Sequence, residues 1–90
     1  MKVTNVTIHN IDKNSKLRAT CSITLDDMLR IHHIHVIEGD KGLFIGFPNT
    51  GEMKLYRNGK RFLDIVHPCN EELRREITDA VITKYLAEVR

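Results

Sequence analysis

The chain has only two cysteines, Cys21 and Cys69, in no Cys-x-x-Cys spacing, which argues against a disulfide or zinc framework and for buried free thiols in a reducing cytosol. It also lacks any apolar run approaching the roughly 20 residues that span a bilayer, so a soluble protein with no membrane partner is expected. The opening Met1-Lys2-Val3-Thr4-Asn5-Val6 has no apolar export core and passes straight into strand-like alternation, which makes a cytoplasmic location the expectation. Charge of one sign is scarce too: the formal net charge is +2, too small to demand a polyanionic partner, so its distribution carries more information than its sum.

Catalytic machinery is equally thin. Gly39-Asp40-Lys41-Gly42 lacks the strand-to-helix context and spacing of a phosphate loop. Cys69 stands near His67, yet no third group orients the imidazole and no oxyanion donors are identifiable. On a regular strand His33 and His35 share one face while His32 points to the other, and no carboxylate is fixed beside them or beside His9 and His67. The expectation is a protein that is not an enzyme, with no metal, no cofactor and no small-molecule substrate.

What is present is strand pattern. Ninety residues make a single domain, residues 1–90, and a chain this short often dimerises to bury more surface. A first strand covers about Lys2 to Ile11 and ends in the polar turn Asp12-Lys13-Asn14-Ser15. Leu17, Ala19, Cys21, Ile23 and Leu25 then alternate with Arg18, Thr20, Ser22 and Thr24, the period-2 pattern of a strand with one buried face. With Asp26-Asp27 as a two-residue turn, the expected pairs are Leu25 with Met28, Ile23 with Arg30, Cys21 with His32, Ala19 with Ile34 and Leu17 with Val36. The most apolar stretch follows as a central hairpin, 29–37 and 43–47, with Glu38 to Gly42 as its loop. This register puts Leu29, Ile31, Ile37, Leu43, Ile45 and Phe47 on a second apolar face. One helix cannot cover both faces of a sheet, so either a bulge returns these residues to a single core or a second copy of the chain covers them in a homodimer.

Beyond Pro48, Glu52 to Phe62 reads as another hairpin turning at Asn58-Gly59. Its arms carry Lys54, Arg57, Lys60 and Arg61 with no acidic residue between Lys54 and Arg61, a local positive field that suits phosphates; the alternative is a solubilised edge. Leu63-Asp64-Ile65-Val66 is expected to close the sheet. His67-Pro68 then stops the strand, Asn70 caps a helix, Glu71 and Glu72 occupy its first turn, and Leu73, Ile77, Ala80, Val81 and Tyr85 form its packing stripe to about Val89. Arg74 and Arg75 lie off that stripe near the helix start. The fold class expected is α+β, a small antiparallel meander of hairpins with one C-terminal helix.

Several segments also match a known family. Met1-Lys2-Val3-Thr4, Leu17-Arg18-Ala19, Ser22-Ile23-Thr24-Leu25-Asp26, His32, Ile34-x-Val36-Ile37, Gly39, Gly42-Leu43-Phe44, Pro48, Asp64-Ile65-x-His67-Pro68-x-Asn70, Arg74, Ile77, Asp79-Ala80-Val81 and Tyr85 resemble, in order and spacing, the bacterial stage V sporulation protein G family. The resemblance implies a homodimeric cytosolic regulator that binds DNA, in some members RNA, and acts in sporulation, cell division or gene expression. Lys54, Arg57, Lys60 and Arg61 with Asn70, Arg74 and Arg75 are the expected nucleic-acid contacts. The alternative is a protein-interaction adaptor of division or sporulation that touches no nucleic acid.

Overall fold

A computed structural model describes the backbone of residues 1–56 and 59–89, and the side chains of that span outside residues 50–63. Strands β1 (Val3–Ile11), β2 (Leu17–Leu25), β3 (Leu29–Gly39) and β4 (Gly42–Gly46) form one antiparallel sheet in chain order. Strands β5 (Asn49–Tyr56) and β6 (Gly59–Asp64) pair as a separate ribbon, and helix α1 (Glu71–Glu88) follows. The α+β class is as expected, whereas Leu63-Asp64-Ile65-Val66 does not close the main sheet. Instead β6 ends at Asp64, and the Ile65 N–H donates to the Pro48 carbonyl at 2.7 Å, so its donor is satisfied without a ladder and both Ile65 and Val66 stay exposed.

The turn falls at Asp26-Asp27 as expected, but Met28 belongs to it as well, so the connection has three residues and Leu25 pairs with Leu29 rather than with Met28. Both aspartates have positive φ, 52° and 55°, and the Met28 N–H donates to the Leu25 carbonyl at 3.0 Å, the geometry that matches right-handed strand twist. The first strand is tied to it: the Lys2 N–H donates to Asp26 Oδ1 at 2.8 Å and the Asp26 N–H returns a bond to the Lys2 carbonyl at 2.9 Å.

None of the expected β2–β3 pairs is kept: the register is already one residue off at the turn, where Leu25 pairs with Leu29 instead of Met28, and a bulge in β3 and the β3–β4 turn then decide which face each side chain takes. Beside the turn the partners are Leu25 with Leu29, Thr24 with Arg30 and Ile23 with Ile31; further on they are Cys21 with Ile34, Thr20 with His35 and Ala19 with Val36. Between Ile31 and Ile34 β3 takes three steps where β2 takes two, a bulge built on His33, whose φ is 62°. Three steps on a regular strand would put Ile31 and Ile34 on opposite faces; the bulge returns them to the same one. A further departure is the β3–β4 turn. The strands run on to a Gly39–Gly42 pair, so the loop is Asp40-Lys41 rather than five residues, and Ile37 pairs with Phe44 instead of Leu43. A slip of one residue inverts every face.

The expected second apolar face is thereby corrected. Ile31, Leu43 and Ile45 pack against the core, Phe47 lies inside it, and Leu29 lines an apolar pocket on the same side; of the six, Ile37 stays on the other face, across from Phe44.

The core joins Ala19, Cys21, Ile23 and Leu25 of β2, Ile34 and Val36 of β3, and Phe47 to Ile77, Val81 and Tyr85 of α1. Leu73 and Val89 extend that stripe at the same four-residue spacing, so a single helix face covers a single sheet face. Asn70 caps the helix as expected, its Oδ1 accepting from the Leu73 N–H at 2.8 Å. Glu76 reaches across to the sheet edge, where its Oε2 accepts from the Val3 N–H at 2.7 Å.

Candidate nucleic-acid interface

The expected phosphate contacts fall into two groups. At the helix start, Asn70 is exposed but its Oδ1 is committed to the cap, leaving Nδ2 as the outward donor. The Arg74 guanidinium sits over the Phe47 ring, Cζ 5.5 Å from the centroid, so its plane is held against the core edge while its N–H groups remain available at the rim. Arg75 is exposed. The neighbouring Glu71 and Glu72 suit the helix dipole and offset part of this charge.

On the ribbon, register pairs Lys54 with Arg61 and Leu55 with Lys60. The side chains of Lys54, Lys60 and Arg61, and all of Arg57 and Asn58, lie outside the described residues. Among the described residues α1 packs on β1 to β4 and the ribbon packs on itself, so the two basic groups are carried by separate parts of the chain.

An unexpected site lies on the sheet face away from the helix. Ser22, 3% exposed, is bridged by two imidazoles: His9 Nε2 is 2.9 Å and His32 Nδ1 3.0 Å from its Oγ. A hydroxyl has one proton, so it donates to one ring and accepts from the other, which sets complementary tautomers. His33 and His35 line the same hollow with Thr20 and Asn10. This corrects the alternation that set His32 against His33 and His35: the positive φ of His33 brings all three to one side. Nothing in the sequence marks that bulge, although histidine tolerates this backbone region better than most residues. Among the described residues no three His, Cys, Asp or Glu side chains are grouped to hold a metal ion.

The two thiols differ. Burial pushes the Cys21 thiol up to about 11, so it stays protonated and unreactive at neutral pH. Cys69, expected to be buried like Cys21, is instead exposed at the chain segment leading into the helix, and the neighbouring His67 Nδ1–H donates to the Pro68 carbonyl at 3.1 Å. A separate apolar pocket lies between the helix start and the β2–β3 turn, lined by Met1, Leu29, Phe47, Val66, Pro68 and Leu73 among others. None of the described helices is long and apolar enough to cross a membrane.

The fold is that of a small α+β domain: a four-stranded antiparallel meander backed by one helix, with a two-stranded ribbon between them in the chain. The SpoVG family model matches residues 1–87, and the chain belongs to that family. It is 38% identical over 89 residues to "Putative septation protein SpoVG" of Agathobacter rectalis, covering 99% of this chain and 97% of the relative. The relative of the same name from Staphylococcus carnosus is 44% identical over 94% of this chain and 75% of its own length, and that of Phytoplasma australiense 42% identical over 94% and 83%.

Proposed function

We propose that this chain is a bacterial regulatory protein of septation or sporulation that binds nucleic acid, acts in the cytoplasm and has no enzymatic activity. The septation role is the one named for its relatives. The nucleic-acid reading is supported above all by one feature: the sequence from Lys54 to Arg61, which spans the end of β5 and the start of β6, carries Lys54, Arg57, Lys60 and Arg61 and no acid. A two-stranded ribbon also fits the major groove of duplex DNA, and Arg74, Arg75 and Asn70 Nδ2 supply further donors at the helix start.

We also propose a homodimer, its interface no longer a continuous second face but the exposed Phe44 together with Ile37 across from it on the open side of the sheet. Light scattering at micromolar concentration is expected to give twice the chain mass, and a stable monomer refutes it. Two-fold symmetry would present both basic groups twice to one duplex.

Titrating duplex DNA at two salt concentrations tests the main reading. Phosphate neutralisation makes log affinity fall steeply with log salt, and changing Arg57, Lys60 and Arg61 together to Ala flattens the slope by roughly one unit per lost contact. Arg74→Ala is expected to alter discrimination between sequences instead, if the guanidinium reads a base edge. The apolar pocket beside the helix start favours a second reading, an adaptor that docks an apolar side chain of a protein partner. Absence of duplex binding at low salt, with the fold intact, moves that reading ahead.

A further inference from the structure

We infer that the outer edge of β1 is a docking site for an extended segment of another protein, which adds to the sheet as a further strand beside α1. The two edges of the sheet differ. β4 has five residues, a short edge that gives an added strand little to pair with, whereas β1 runs for nine, Val3–Ile11, without a lysine, arginine, aspartate, glutamate or proline. Among the described residues no strand lies on the outer side of β1, so alternate backbone N–H and C=O groups face outward with no ladder to meet them. Register shifts between Val3 and Asn5 and between Ile8 and Ile11 bend both ends, leaving Asn5 to Ile8 as the regular run that a segment of matching length can pair with. Phe44, the exposed group of the proposed homodimer, is on β4 at the opposite edge. The ribbon and the helix start are likewise elsewhere, so the site stands whether or not nucleic acid binds.

The start of the edge shows what its outward groups take. The Lys2 N–H and C=O both bond to Asp26 on the β2 side, at 2.8 and 2.9 Å. The Val3 N–H, one residue on, points the other way, where Glu76 Oε2 accepts it at 2.7 Å. A helix carboxylate thus holds the place of a neighbouring strand's carbonyl. Beyond it an open groove continues between β1 and α1, with Val3, Thr4, Asn5 and Val6 on one wall and Asp79, Ala80, Thr83, Lys84 and Ala87 on the other. A strand added here bonds backbone to backbone and takes its specificity from the side chains that meet the helix wall.

Charge on that wall then identifies the segment. Asp79 and Lys84 are both exposed. Their separation along the helix is about 7.5 Å at 1.5 Å per residue. Side chains two residues apart on one face of a strand are spaced about 6.6 Å, close to the same distance. A segment with one basic and one acidic residue, separated by a single residue, therefore sets the base against Asp79 and the acid against Lys84, while the residue between them turns to the other face. A second copy of this chain fits less well. Its β1 carries no base or acid to meet Asp79 and Lys84, and it would bring its own α1 against the same groove.

The test uses the full chain and two short labelled peptides in fluorescence anisotropy, acetyl-Thr-Val-Lys-Thr-Glu-Val-Thr-amide and the form with Lys and Glu exchanged. One order is expected to bind more tightly, which gives the direction in which the strand adds. N-methylating the backbone of that peptide at alternate residues keeps every side chain and is expected to weaken binding more than about tenfold, because backbone hydrogen bonds are lost. Asp79→Lys and Lys84→Asp combined are expected to reverse the preference between the two peptides by a few-fold, as exposed ion pairs do. Thr83→Trp, at an exposed helix position, fills the groove and is expected to abolish binding with the circular dichroism of the native chain. Hydrogen exchange is expected to slow on peptide binding at amides between Asn5 and Ile8. Absence of binding by both peptides at millimolar concentration overturns the inference, and so does equal affinity of the N-methylated form or an unreversed preference in the charge-exchanged chain. A Thr83→Trp chain that falls to a lower mass in light scattering assigns the edge to a second copy and overturns it as well.

Discussion

The two faces of the four-stranded sheet are made of the same strands and yet differ in nearly every property. One carries Ala19, Cys21, Ile23, Leu25, Ile34 and Val36 under the Ile77–Val81–Tyr85 stripe of α1; the other carries hydroxyls, arginines and the His9–Ser22–His32 bridge. Burial of one face supplies stability, at about 1.5–3 kcal/mol for each large aliphatic side chain removed from water. That leaves the other face free to be chosen by chemistry rather than by packing. Ser22 marks the boundary: it is as buried as the core, but its polar atom is satisfied by two rings that themselves reach solvent.

The contrast makes graded demands on stability. Ile34→Ala, at a fully buried position where both β2 and α1 pack, is expected to cost about 2–5 kcal/mol in denaturant unfolding. A cost under 1 kcal/mol would mean that the helix-covered face is not where the stability resides. Asn70→Ala removes the cap that orients α1 over that face and is expected to cost about 1 kcal/mol, with Asn70→Asp near neutral because it restores the acceptor. On the opposite face Ser22→Ala is expected to cost less, roughly 0.5–1 kcal/mol, because water can replace the hydroxyl at both exposed rings. A loss as large as that of Ile34→Ala would show that the bridge is a core element. Least of all, the Arg57, Lys60 and Arg61 triple alanine variant is expected to unfold within about 0.5 kcal/mol of the native chain while its salt slope for duplex DNA falls. If its stability drops with its affinity, the ribbon is part of the folded body and not a binding arm.

Much of the framework was legible from residue pattern. The period-2 run from Leu17 to Leu25, the Asp26-Asp27 turn, the Asn70 cap and the stripe through Leu73, Ile77, Val81 and Tyr85 each follow from local chemistry and appear where expected. The faces of β3 and β4 did not. Their assignment turned on whether the chain between Ile37 and Leu43 forms a five-residue loop or a two-residue one, and on a bulge at a histidine. The candidate contacts were legible as residue types, while their disposition was not: Arg74 reads as a free cation in the sequence and is stacked on Phe47 in the fold.

The sequence by itself determined the α+β class, the helix with its Asn70 cap and packing stripe, and the place of the Asp26-Asp27 turn, because those depend on neighbours a few residues apart. Only the tertiary structure decided that Ile31, Leu43, Ile45 and Phe47 belong to one core and that His9, His32, His33 and His35 share one hollow. The physical reason is that strand faces alternate with a period of two, so each one-residue change in register, here a bulge and a shorter loop, exchanges inside for outside. Such changes are settled by how the whole face packs beneath the helix, and no window of a few residues contains that helix.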